Sequence, residues 1–199
     1  MESRDMNVRI NKEKSIGKVL YIVEGNKTEA LILYYIFCKI YDYQFESILR
    51  GKGYHKYNSK ENIMSQVFVI NTEESNIKTI DKDNDFLNNL YITLFEQYDF
   101  NVDNAAIYYL FDRDYQSNTD VLFINKMIST LGNARDNGGY DRQGLLLLSY
   151  PAIESFTLSN FEHHVFEEKE MESNKAYRIL SLLCVSLLDL GLLEIEEET

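Results

Sequence analysis

The chain has 199 residues, 45% hydrophobic and 13% aromatic, with one proline, two cysteines and a formal net charge of −12. That apolar content is enough for one substantial core and too high for a disordered chain, and no Pro-rich linker divides it, so a single domain over residues 1–199 is expected. The charge excludes a protein that coats nucleic acid by electrostatics alone, because that mode needs many Lys and Arg to displace counterions from phosphates.

In chain order, KVLYIV at 18–23 is a β-branched and aromatic run that reads as a strand buried on both faces and opens the fold. EGNKTE then gives a turn, and a helix is expected from Thr28, as its N-cap, to about Tyr43. FESIL reads as a weak strand, followed by a polar, Tyr-containing loop with Gly51 and Gly53 that runs to Lys60. QVFVIN at 66–71 is a strand, and Asp83 to Tyr98 is a helix capped from within DKDND. AAIYYLF at 105–111 is the second strong buried-strand pattern. DRDYQSN reads as a polar loop, TDVLFINKMISTLG as a helix, NARDNGGYDRQ as a loop and GLLLLS at 144–149 as a last parallel strand. Helical patterns cover Ala152 to Phe161 and Ser173 to Leu190, the latter stopped by Gly191, and EIEEET reads as an acidic tail.

Strands alternating with helices predict an α/β fold, a mostly parallel sheet covered on both faces and joined by right-handed crossovers. Its core is expected over about 18–161, with 162–199 as a helical C-terminal extension. The start of the chain lacks the apolar stretch of a secretion signal. The most apolar run, ILSLLCVSLL at 179–188, is short against the about 20 residues that span a bilayer, so a buried helix, no membrane partner and a cytoplasmic location are expected. Cys38 and Cys184 each lie in an apolar helical pattern and read as buried thiols, which suits a reducing compartment.

Charge is distributed unevenly. Residues 1–20 carry five basic and three acidic side chains, Arg50 to Lys60 holds four basic residues and no acid, and 81–120 holds nine acids against two bases. A basic arm beside an acidic, metal-loading centre suits action on a phosphodiester, and a solvated charged loop is the plainer alternative.

Open α/β sheets place their functional crevice beyond the carboxyl ends of the strands. Three acidic motifs fall there: Glu24 ends the first strong strand, Asp112 and Asp114 follow another, and Glu154 lies just past the last. The i, i+2 spacing of Asp112 and Asp114 on an extended chain sends both carboxylates to one side, as a shared hard cation requires. Oxygen-only ligands suit Mg²⁺ or Mn²⁺ rather than zinc. Gly25 leaves room for a phosphate or the metal to approach the backbone. Lys27 has two readings, a phosphate contact or a solvent-facing lysine, and Glu29 reads as a first-turn acid facing the helix dipole.

VEGNKTEA at 23–30 resembles the first Toprim motif, a strand-ending glutamate followed by Gly and often Lys-Thr-Glu; FDRD at 111–114 resembles its Asp-x-Asp motif. SYPAIESFTLSNF at 149–161 is similar to the segment that follows in RloB-like proteins, with Tyr150 where that pattern has Asn and Phe156 where it tends to have Trp. The resemblance covers three short islands. It implies a Toprim catalytic centre of the kind shared with OLD-type nucleases, with Glu24 as general acid or base, Asp112 and Asp114 holding Mg²⁺, and Glu154 as a further ligand.

The expected function is therefore metal-dependent hydrolysis of a nucleic acid, DNA or RNA, with a role in phage defence implied by the RloB-like resemblance alone. The alternative is a regulatory or toxin module that acts only with a protein partner such as an ATPase, which its acidic surface and apolar C-terminal helix would contact. A homo-oligomer is compatible with either.

Overall fold

A computed structural model of the chain describes residues 7–25, 27–48, 54–72, 76–81, 84–112, 118–137, 143–149 and 170–196. The strands are β1 (Asn7–Ile10), β2 (Lys18–Val23), β3 (Gln44–Ile48), β4 (Tyr54–Asn58), β5 (Gln66–Asn71), β6 (Ala105–Asp112), β7 (Gly132–Asn133), β8 (Gly144–Ser149) and β9 (Leu193–Glu196). The α-helices are α1 (Thr28–Tyr34), α2 (Asp85–Tyr98), α3 (Val121–Thr130) and α4 (Glu170–Asp189). Seven strands form one sheet in the order β3-β4-β5-β2-β6-β8-β7, and β1 pairs with β9 in a separate antiparallel ribbon.

The centre of the sheet is parallel. β2 runs beside β5 on one side and β6 on the other, and β6 runs beside β8. Side chains alternate between two buried faces, as the period of two requires. Val19, Tyr21 and Val23 join Val67, Val69, Ala106, Tyr108 and Leu110 on one face, packed under α1 and α4. Leu20 and Ile22 join Phe68, Ile70, Ile107, Tyr109 and Phe111 on the other, packed under α2 and α3. The helix after β2 and the helix after β6 thus lie on opposite faces, so the two crossovers diverge between β2 and β6.

The edges depart from the all-parallel expectation. β3, β4 and β7 pair antiparallel with their neighbours. β4 occupies the segment expected as a polar loop, and it is held by burying Tyr54 and Tyr57 rather than by any β-branched run. The ends of the chain also differ from expectation. Leu193–Glu196, which runs into the acidic tail, pairs with Asn7–Ile10 ahead of the strand expected to open the fold, matching Val8 to Ile195 and Ile10 to Leu193. Helix α4 is buried as expected, with Leu182, Leu183 and Leu187, and Leu190 just past its end, in the first of these core layers. Cys38 and Cys184 are free and only part-buried, and burial raises both thiol pKa values.

Helix boundaries follow local chemistry. The Asn84 side chain accepts from the Phe86 N–H to cap α2, and Asp120 accepts from the Phe123 N–H to cap α3. Asp99, with φ of 50°, closes α2 in a left-handed turn. The helix expected to run to about Tyr43 keeps α geometry only to Tyr34 and then widens into a π turn over Tyr35–Ile40, closed by the Tyr41 N–H on the Ile36 carbonyl. Aromatic hydroxyls tie α4 to the sheet: Tyr21 pairs with Ser186 at 2.8 Å, and Tyr108 donates to Asp189. Burial pushes both phenols well above their ordinary range, so both act as neutral partners at any working pH.

No described helix is long and apolar enough to cross a membrane.

Gly144 opens β8 at φ +140°, and a Cβ there would lie 2.1 Å from the Tyr109 ring. Gly132 meets only a carbonyl at 3.9 Å. Gly144→Ala is therefore expected to cost about 3 kcal/mol or more, from overpacking and an incompatible φ. Gly132→Ala should stay within about 0.5 kcal/mol of wild type. Urea denaturation of the two variants measures the contrast, and equal midpoints would contradict the packing at Tyr109.

Candidate functional site

The crossovers diverge between β2 and β6, and such a switch point leaves a crevice outside the carboxyl ends of the strands. Glu24 is the first residue past β2 and Asp112 the last residue of β6, so both sit there. The Glu24 N–H donates to the Leu110 carbonyl at 3.2 Å, continuing the parallel ladder by one step. In an uninterrupted ladder the next bond would run from the Asp112 N–H to the Glu24 carbonyl. Instead the Glu24 side chain turns back, and its Oε2 accepts the Asp112 N–H at 2.6 Å. A carboxylate thus replaces a main-chain acceptor at the point where the strands separate, in a charge-assisted bond. Glu24 is buried, at 8% exposure, whereas Asp112 is half-buried.

A second carboxylate lies against the backbone of Gly25. Glu29 is 3% exposed, far more buried than a first-turn acid facing the helix dipole needs to be. A Cβ built on Gly25 would fall 2.6 Å from Glu29 Oε2 and 2.8 Å from Oε1. The space that Gly25 leaves open is filled by this side chain. Gly25 therefore serves the site by admitting the Glu29 carboxylate against the backbone. Thr28 does not cap α1. The cap position falls on Lys27, which is exposed and makes no side-chain capping bond.

The neighbouring strand end is also polar. Asn71 and Thr72 are buried at the end of β5, and the Thr72 N–H donates to the Val23 carbonyl at 3.1 Å. Of the seven buried polar or charged residues described, three (Glu24, Asn71 and Thr72) lie at the carboxyl ends of β2 and β5 and a fourth, Glu29, in the first turn of α1, so desolvated polarity concentrates at one edge. Asn118 fastens the far side. Its Nδ2 donates to the Asp112 carbonyl at 2.9 Å, while its Oδ1 accepts from the Ile77 N–H at 2.8 Å. That ties the segment after β6 to the 3-10 turn at Ile77–Ile80. Asn118 has φ of 56°, a left-handed conformation that Asn tolerates better than most residues. Its only signal in the sequence is an Asn within a polar loop, which by itself predicts no role at the site.

Of the residues expected at the site, the structure brings Glu24 and Asp112 into contact. Asp114 and Glu154 lie outside the described residues, as do Tyr115, Pro151, His163 and His164. Among the described residues no group of three or more His, Cys, Asp or Glu side chains is gathered as a metal cage. The donors that are described, carboxylates and main-chain oxygens at an edge, fit a hard divalent cation by their chemistry. Among the described residues, Lys12, Lys14, Lys18 and Lys60 of the basic segments lie away from this centre. Lys18 starts β2 at its amino end and donates to the Asp99 carbonyl, and Lys12, Lys14 and Lys60 line a separate cleft beyond that same end.

No family model, curated protein or solved structure matches the chain.

The contact between Gly25 and Glu29 can be tested by a double-mutant cycle. Gly25→Ala is expected to destabilise the fold by about 1–3 kcal/mol by displacing a buried carboxylate. Once Glu29→Ala has emptied the space, adding Gly25→Ala should cost almost nothing further, giving a coupling of about 1 kcal/mol or more. Additive effects would show that the two positions do not compete for the same space.

Proposed function

We propose that the chain is a Toprim-type, divalent-metal-dependent phosphodiester hydrolase acting on nucleic acid. The observation that carries this reading is the pairing of Glu24 with Asp112 at the switch point of the sheet, where the buried Glu24 carboxylate accepts the Asp112 N–H. It agrees with the resemblance of VEGNKTEA and FDRD to the two Toprim acidic motifs, since the strands ending at Val23 and Asp112 are parallel neighbours.

In this reading Asp112 and Asp114, with Glu154, hold Mg²⁺ or Mn²⁺. When bound, the cation supplies charge neutralisation on the phosphate and an acidified water. Glu24 holds or releases a proton at the reacting oxygen, with the Asp112 N–H fixing the orientation of its carboxylate. Asn118 keeps the Asp112 backbone in place from the opposite side. Glu29 adds a buried carboxyl group against the Gly25 backbone. Lys27, exposed at the start of α1, is available to a phosphate arriving at the crevice.

The partner-dependent module has mixed support, since Leu182, Leu183 and Leu187 of α4 are spent on the chain's own core, while Leu180, Val185 and Leu188 are exposed.

Cleavage of single-stranded DNA, duplex DNA and RNA with Mg²⁺ or Mn²⁺ tests the proposal. Glu24→Gln preserves shape but removes the titratable group, so turnover should fall by about 10²-fold or more. Mn²⁺ should still raise the Tm of that variant, because the cation binds the folded state through other residues. Asp112→Asn with Asp114→Asn should lose both activity and the Tm rise. A wild type that cuts none of these substrates, or a Glu24→Gln variant that cuts as fast as wild type, overturns the assignment.

A further inference from the structure

The basic segments left unused by the carboxyl-edge site come together elsewhere. A cleft of about 410 Å³ lies beyond the amino end of β2, lined by the arm before that strand, the end of the π turn after α1 and the turn between β4 and β5. Four lysines from three separate stretches of chain, Lys12, Lys14, Lys39 and Lys60, contribute to its walls. Glu13, Asp42 and Glu61 line it too, so its formal charge is +1 in a chain of −12. The Lys60 ammonium is already engaged by Asp42 at 2.6 Å. Lys12, Lys14 and Lys39 form no ion pair among the described residues.

The walls are fixed by hydrogen bonds that need no ligand. Tyr43 and Ser65, both buried, join their hydroxyls at 2.7 Å, and Ser65 also accepts from the Ile16 N–H. Ser59 Oγ accepts from the Glu61 and Asn62 N–H groups, and Asn62 Nδ2 donates to Ser15 Oγ at 2.7 Å. The arm is thereby tied to the β4–β5 turn across the cleft. Lys14 is steered by packing, since its Cε lies 3.3 Å from where a Cβ on Gly191 would stand. Gly191, at φ +69°, leaves the stem of that lysine room to lie against the turn that ends α4.

A concave, hydrogen-bonded surface in which Lys12, Lys14 and Lys39, the last over the Tyr34 ring, have no carboxylate partner among the described residues suits an anion carrying more than one charge. We propose that this cleft binds a small diphosphate-bearing ligand of about nucleotide size. The site is separated from the Glu24–Asp112 crevice by the full length of β2, roughly 20 Å at about 3.3 Å per residue. It does not depend on the function assigned to that crevice. Lys12, Lys14 and Lys39 meet the phosphate oxygens, and the hydroxyl and amide groups of Ser15 and Asn62 are placed to accept or donate at the ligand's polar edge.

Isothermal titration with inorganic pyrophosphate and with ADP tests this on the full chain, with a 20-nucleotide single strand as the third titrant. Pyrophosphate and ADP should bind with a Kd below about 1 mM at low salt and weaken as salt rises. Lys12→Ala with Lys14→Ala and Lys39→Ala should weaken both at least tenfold, while the exposed positions of these lysines leave Tm nearly unchanged. Asp112→Asn should leave ADP binding intact, which separates this site from the crevice. The proposal is overturned if neither small ligand binds at 10 mM or if the triple variant binds as wild type does. It is also overturned if only the oligonucleotide binds in a lysine-dependent way.

Discussion

Strand β2 has water on neither side. Every residue from Val19 to Val23 is at most 1% exposed, so both faces of the strand must be covered and both of its edges paired. After that strand the chain covers one face with α1, and after β6 it covers the other with α3. The divergence of those crossovers parts the backbone between β2 and β6. At the parting, one main-chain N–H loses its regular acceptor, and burying it unpaired would cost about 1–3 kcal/mol. The Glu24 carboxylate satisfies it. The same requirement that buries the centre of the sheet therefore creates the crevice and sets an acid at its floor.

Placing Glu24 this way constrains the next five residues. The turn into α1 must leave room for the Glu29 side chain, which returns over the backbone at position 25, and only glycine lacks an atom in that space. The short motif Glu-Gly-x-x-x-Glu thus acts as one packed unit, in which the glycine is explained by contact with the second acid rather than by backbone conformation. On the other side, Asn118 uses both ends of its amide to hold the exit from β6 against the turn after β5. The crevice is framed by hydrogen bonds from three strand ends.

The buried centre was legible in the sequence because its signal is local. KVLYIV, QVFVIN, AAIYYLF and GLLLLS are apolar runs whose length and β-branched or aromatic content identify strands without reference to any partner. The cap of α2 from within DKDND was equally local. The antiparallel edges were not, since YHKYN becomes a strand by pairing with β3 and β5 and by burying two tyrosines, and nothing in its own composition says so. The β1–β9 ribbon joins opposite ends of the chain, yet the alternation in LEIE was a period-two signal obscured by its acidic residues. The position of Glu24 beside Asp112 followed from strand ends in an open sheet. The burial of Glu29 did not, because an acid in a first helical turn is ordinarily solvated, and only the fold of the 24–29 turn shows it directed inward.

The central claim is that the Glu24–Asp112 edge binds a divalent cation for phosphodiester hydrolysis. Anomalous diffraction from crystals of the full chain soaked in Mn²⁺ tests it most directly. The account predicts a manganese peak at about 2.0–2.3 Å from an Asp112 carboxylate oxygen, with Asp114 or Glu154 as further ligands. Manganese bound only elsewhere, with the Asp112 carboxylate making no contact to it, would contradict the account.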